Sequence, residues 1–267
     1  MSSVDRPVRV TQLRVARSEW TKLCSLRSTR WSLLAAALLT IGFPLIFASV
    51  VEAHWGRMSP SEQANRQPLD IALVGVNISQ LAIGVLGVLL ITAEYSTGMI
   101  RATLSAVPKR LPVLWAKIAV YAAVTFGLAL LSVLVAFFGS QAILNSKHIL
   151  QIGLGDPDVI RSVLGAAAFL VLIGIFAMAL GAIVRNTAGG IATFALILFV
   201  IPPLLNVLPP TWNQAISTYL PDSAGRAMFA LSHGANELSP AGGLAVFAGT
   251  TACLVGIAAL LLVRRDS

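Results

Sequence analysis

Six stretches of the chain carry no Asp, Glu, Lys or Arg: Trp31–Val51, Ile71–Ala93, Ile118–Ser146, Ser162–Val184, Asn186–Pro221 and Leu238–Val263, each at least 21 residues long. An α-helix rises about 1.5 Å per residue, so about 20 mostly apolar residues cross the hydrocarbon of a bilayer. The pattern predicts an all-α integral membrane protein with six transmembrane helices, near Leu33–Val51, Ile71–Thr92, Leu114–Phe138, Val163–Val184, Gly189–Leu208 and Gly243–Val263. Pro44 is expected to kink the first span, and Pro202 and Pro203 the fifth, because proline removes a backbone donor. Trp31, Trp55, Trp115 and Trp212 fall near span ends, where an amphipathic ring suits the headgroup layer.

Between the spans the apolar pattern changes period. Val10, Leu13, Ala16, Trp20, Leu23 and Leu26 recur every three or four residues, with Arg14, Arg17, Lys22 and Arg27 between them. That describes an amphipathic helix over about residues 9–30, lying in the membrane interface. After the second span, Met99, Ile100, Leu104 and Val107 repeat the helical spacing; Ser96 or Thr97 can cap the start and Pro108 ends it. A short helix over about residues 94–107 follows. Residues 209–242 form a long connection with Trp212, Ile216, Tyr219 and Leu220, then Ala224, Met228, Phe229 and Leu231. They predict two short amphipathic helices, broken at Pro221-Asp222, dipping back into the outer leaflet. Arg185-Asn-Thr-Ala joins the fourth and fifth spans as a tight hairpin.

Composition agrees: 57% hydrophobic and 11% charged residues, with a mean hydropathy of +0.83, against roughly 25% charged in a soluble domain. One membrane domain over residues 1–267 is the reading. About 30 residues with seven Lys/Arg precede the first span, which itself has full spanning length, so it is not read as a cleavable signal. With the loops alternating sides, one side holds 14 Lys/Arg and the other 5, with net charges of +10 and −2. The positive-inside rule places both termini in the cytoplasm and the protein in the cytoplasmic membrane. The basic balance therefore reads as orientation and attraction to lipid headgroups rather than nucleic-acid binding. Cys24 and Cys253 are too far apart in topology to pair, and no Cys/His spacing indicates a metal.

The sequence contains no GxxxxGK[ST], HExxH or GxSxG, and the three histidines lie in separate external loops, so no catalytic, metal or cofactor residue is assigned. Gly153-Leu-Gly-Asp156 imitates the GxGD of intramembrane aspartyl proteases, but no span contains the second aspartate that chemistry needs. Asp156 or Asp158 is expected to cap the fourth helix instead. An ion-coupled carrier, the other alternative, needs an ionisable group in the membrane interior, and no span carries a charge at its middle. Their most polar stripe is Asn77, Gln80, Gly84 and Gly87 on one face of the second span. Such a face serves helix packing, or it lines a pathway or a dimer interface.

Two stretches carry a resemblance. Ser18-Glu-Trp-Thr-Lys-Leu-Cys-Ser-Leu-Arg-Ser-Thr-Arg-Trp31 and, more specifically, Glu94-Tyr-Ser-Thr-Gly-Met-Ile-Arg-Ala-Thr-Leu104 resemble the permease subunits of ABC type-2 exporters, particularly actinobacterial ones. The likeness implies that the N-terminal helix is a connecting helix and residues 94–107 a cytoplasmic coupling helix seated on a separate ABC ATPase subunit. Met99, Ile100 and Leu104 would pack there beside Tyr95, with Glu94 and Arg101 making polar contacts. Trp212, Tyr219, Met228 and Phe229 would belong to re-entrant external helices that gate the outer end. The family implies a dimer, with a second copy or a homologous permease, in contact with membrane lipid. It also implies that ATP and magnesium are bound by the partner and that cargo moves outward.

Overall fold

The computed structural model describes residues 12–96, 110–146, 149, 152–231, 234 and 237–265. Six helices among them are long and apolar enough to cross a membrane: Arg27–Arg57, Pro68–Tyr95, Leu111–Asn145, Pro157–Val184, Thr187–Leu205 and Pro240–Arg264. The chain is therefore a multi-pass, all-helical membrane protein. The helices overrun the expected spans because helical hydrogen bonding continues past the hydrocarbon into the interface.

The elements run α1 (Gln12–Ser25), α2 (Arg27–His54), α3 (Pro60–Ala64), α4 (Pro68–Ser96), α5 (Arg110–Asn145), α6 (Pro157–Val184), α7 (Thr187–Ala195), α8 (Ile201–Leu205), α9 (Pro210–Ser217), α10 (Pro221–Ala227) and α11 (Pro240–Arg265). Prolines open α3, α9 and α10, where a missing N–H costs nothing. The small helix α3 also carries a capping box between Ser59 and Glu62. Asp156 caps α6 by accepting from the Asp158 backbone N–H at 2.9 Å, so the GxGD run is a helix start.

Three local features depart from the simplest reading. The interface helix ends at Ser25 rather than near residue 30: Leu26 is extended (φ −74°, ψ 122°), and Arg27 already begins α2. The fifth span is broken by a π-turn at Leu196–Val200 between α7 and α8, just ahead of Pro202. Proline there cannot donate to Leu198 and its ring crowds that carbonyl, and the wider turn relieves both. The external connection does form two short helices, but the break falls at Thr218–Leu220, ahead of the expected Pro221-Asp222, which instead opens the second helix.

Helices α4 and α6 are the axis of the bundle. In their most apolar windows 61% and 72% of residues are buried, against 22–28% for the other four spans. The two lie so close that a Cβ on Gly87 would strike the Gly174 carbonyl, and one on Gly181 would meet the Val88 backbone and the Ile91 side chain. Helix α2 joins them at Gly75, which sits against the Thr40 carbonyl that Pro44 leaves without its helical donor. Between lipid-like surfaces there is no hydrophobic force to drive helices together, so this backbone-to-backbone contact supplies the dispersion energy that does.

A side chain at Gly87 meets backbone that cannot move aside. Gly87→Val is expected to lower stability by about 3 kcal/mol, the upper end of overpacking costs. Gly127→Ala, which points into open space, should stay within about 1 kcal/mol of the wild type. Melting of detergent-purified variants checks the contrast.

Candidate functional site

At the end of the bundle where α1 meets the last turn of α4 and the first turns of α5, four charged side chains converge. Lys117 of α5 donates to Glu19 of α1 and, at 2.9 Å, to Glu94 of α4. Lys22 of α1 completes the ring, donating to Glu19 at 2.7 Å and to the same Glu94 oxygen at 3.2 Å. Glu19, Glu94 and Lys117 are only 4–6% exposed, whereas the Lys22 side chain is 33% exposed. Two ammonium groups and two carboxylates give a net charge of zero, which is what a buried polar group requires to avoid an uncompensated charge.

The local sequence explains why these groups turn inward. On α1 the buried positions are Val15, Glu19 and Leu23, while Trp20 and Leu26 are exposed. The amphipathic stripe expected from Leu13, Ala16, Trp20, Leu23 and Leu26 is thus rotated. The inward face is centred on an acid, because that acid has two cations to meet. Val15 packs on Val113 and Ala116 of α5, one turn from Lys117.

Burial pushes the Glu19 carboxyl up, but the Lys117 ammonium and its hydrogen bond, then Lys22, outweigh that and hold it below its ordinary 4.5. Burial pulls the Lys22 ammonium down, but the Glu19 hydrogen bond and the charges of both glutamates outweigh it and leave Lys22 above 10.5.

The other residues singled out from the sequence fall in three places. Met99, Ile100, Arg101 and Leu104 lie outside the described residues. Glu94, which the resemblance turns toward an ATPase, is turned into the chain's own cluster, and Tyr95 lies under the Arg185 guanidinium at 5.1 Å. Arg185 itself holds the left-handed hairpin turn (φ 57°) and donates to the Leu261 carbonyl at 3.3 Å, tying α6 to α11. On α4, Gly84 faces the Phe194 ring and Gly87 the Gly174 backbone, so both serve packing within the chain.

Gln80 of that face leads to a group not anticipated from the sequence. Its Nε2 donates to the Asn77 carbonyl at 2.9 Å and lies 3.4 Å from an Asp222 carboxylate oxygen. Arg226 pairs with the other oxygen at 3.0 Å. Gln80 sits twelve residues into α4, about 18 Å along the helix, so α10 carries an aspartate well inside the end of the bundle at which α4 begins. Glycines make room for it: a Cβ on Gly165 or Gly243 would strike the α10 backbone or the residues just after it, and one on Gly225 would strike the Phe169 ring. Met228 and Phe229 are buried there, Phe229 stacking on Phe169 at 5.6 Å, while Trp212 and Tyr219 are exposed.

Among the described residues no group of His, Cys, Asp or Glu is arranged to hold a metal ion. Residues Glu19, Lys22, Lys117 and Asp222 are therefore the ones sequence reasoning missed. The only available signal was that Lys117 stands between apolar neighbours, Trp115-Ala-Lys-Ile118, at a span end. No family model matches the chain, and no curated protein matches it.

Removing one partner strands a buried charge. Lys117→Met should cost about 3–5 kcal/mol, and adding Glu19→Gln to it should recover much of the loss, read as a double-mutant melting cycle. Because the Glu19 pKa is lowered on folding, its contribution is present above about pH 4.5 and is lost as pH falls through the lower folded value. Because the Lys22 pKa is raised, its contribution is present below about pH 10.5 and is lost above that. The difference in melting temperature between the wild type and Glu19→Gln should be flat from about pH 5 to 10 and shrink as pH falls below about 4.5.

Proposed function

We propose that the chain is the permease subunit of an ABC type-2 exporter, working as a dimer with a separate ATPase in the cytoplasmic membrane. The observation that carries this reading is the base on which residues 97–109 are mounted. That segment, whose sequence resembles a coupling helix, leaves α4 two residues after Glu94 and returns into α5 seven residues before Lys117. Both of its anchors are thus tied by ion pairs to each other and to the interface helix α1. A push on the segment is delivered to α1, α4 and α5 together. Since α4 is packed backbone to backbone on α6, it reaches the centre of the bundle.

The chemistry is consistent. The sequence carries no phosphate-binding loop, so energy from ATP must enter through a surface contact. In this reading Arg101, Met99, Ile100 and Leu104 meet the ATPase, and Glu94 is a positioning residue behind them. The charge asymmetry between the loops supports a cytoplasmic side for this end. Aliphatic, nearly uncharged spans suit a lipophilic or amphipathic cargo.

Asp222 supports a second reading, a gradient-driven carrier, because an acid held against Gln80 within the bundle is a candidate ion-coupling group. One experiment separates the two. The tagged chain is co-expressed with the ATPase encoded nearest to it, and co-purification and vanadate-sensitive ATP hydrolysis are measured for the wild type and for Arg101→Glu. The exporter reading predicts capture by the wild type and at least a tenfold loss in the variant. Failure of both forms to bind any ATPase, with flux that collapses on dissipating the proton or sodium gradient, would favour the carrier.

A further inference from the structure

Between α1, α4 and α5 lies a cavity of about 300 Å³ whose walls are Leu23, Leu26, Leu90 and Val120 and whose floor is the Glu19–Lys22–Glu94–Lys117 ring. We infer that this cavity is a binding site for the headgroup and glycerol region of a zwitterionic, primary-ammonium phospholipid, that is, one with a phosphoethanolamine head. The inference rests only on the chain being a multi-pass membrane protein, not on the transport reading.

Position, shape and charge each contribute. The floor lies at the ends of two spans and beside α1, whose Val15 and Glu19 meet Val113 and Lys117 of α5, the depth at which headgroups sit. Four aliphatic side chains against four charged groups make an amphipathic lining: apolar walls for the first methylenes of the chains, polar atoms for the head. The volume suits a head and backbone, with the acyl chains continuing into the bilayer.

Charge selects the class of head. Lys22 is the one member of the ring with substantial exposure, and two of its three N–H donors go to Glu19 and Glu94, which leaves one for a phosphate oxygen. A phosphate alone would add a negative charge to a neutral, largely buried ring and face two carboxylates. A head that brings its own ammonium keeps the sum at zero and can donate a hydrogen bond back to a glutamate. A quaternary ammonium has no such donor, and an anionic head lacks the cation altogether.

The test uses the full-length protein in detergent, stripped of lipid, and reads both retained lipid by native mass spectrometry and melting on re-addition. Phosphatidylethanolamine, phosphatidylcholine and phosphatidylglycerol are compared, with water-soluble phosphoethanolamine as the headgroup alone. The expected result is at least tenfold preferential retention of phosphatidylethanolamine over phosphatidylglycerol, a rise in melting temperature with it, and no rise with the free headgroup. Leu90→Trp, which fills the cavity, and Lys22→Met, which removes the donor for the phosphate and leaves Lys117 serving both glutamates, should each abolish retention of phosphatidylethanolamine. Equal retention of all three lipids, retention of phosphatidylethanolamine unchanged in either variant, or equal stabilisation by the free headgroup would overturn the assignment. If Leu90→Trp does not fold, Lys22→Met alone decides.

Discussion

A charge taken out of water has to take its counter-charge with it, and much of this architecture follows from how that is arranged. The two glutamates and two lysines at one end of the bundle come from three elements far apart in sequence, at positions 19, 22, 94 and 117. None of the four groups is stable in that setting without the others. Helix α1 is consequently held along the first turns of α5 and against the last turn of α4, and its inward face is chosen by Glu19 rather than by its largest apolar residues. The same constraint operates at the opposite end on a smaller scale. Asp222 enters the bundle only in the company of Arg226 and the Gln80 amide.

The backbone obeys a parallel constraint. Where a hydrogen bond is lost, a neighbour or a change of helical pitch answers it: Gly75 packs against the carbonyl freed by Pro44, and a π-turn precedes Pro202. Where helices must touch without a hydrophobic drive, glycines let backbones meet, as at Gly87 and Gly174. These contacts make α4 and α6 a single stiff axis. The axis carries a charged cluster at one end and the short helix α10 packed near the other.

Much of this was legible in the sequence. Six uncharged runs located the six helices, Asp156 is one of the two caps offered at the start of the fourth span, and the external connection does split into two short helices, though the break precedes Pro221 instead of falling on Pro221-Asp222. What was not legible is informative. A charged residue in an amphipathic pattern is read as facing water, so Lys22 falls on the basic face of the interface helix and Glu19 draws no role of its own. Only a partner 98 residues away, Lys117, reverses that, and no local period records it. Asp222 escaped for a similar reason: it lies outside every span, and only the folding back of α10 brings it to Gln80. Glycine spacing on α4 marked a close-packed face without saying which neighbour would occupy it.

The claim that the ion ring pins α1 along α5 can be tested by cross-linking in native membranes. Val15 and Val113 share one small apolar cluster, and the two native cysteines are exposed and unpaired. In a Cys24→Ser, Cys253→Ser background, the pair Val15→Cys and Val113→Cys should cross-link readily under mild oxidation. Adding Lys117→Met should suppress it strongly. Absence of the cross-link with the ring intact, or a cross-link that forms equally well without Lys117, would contradict the account.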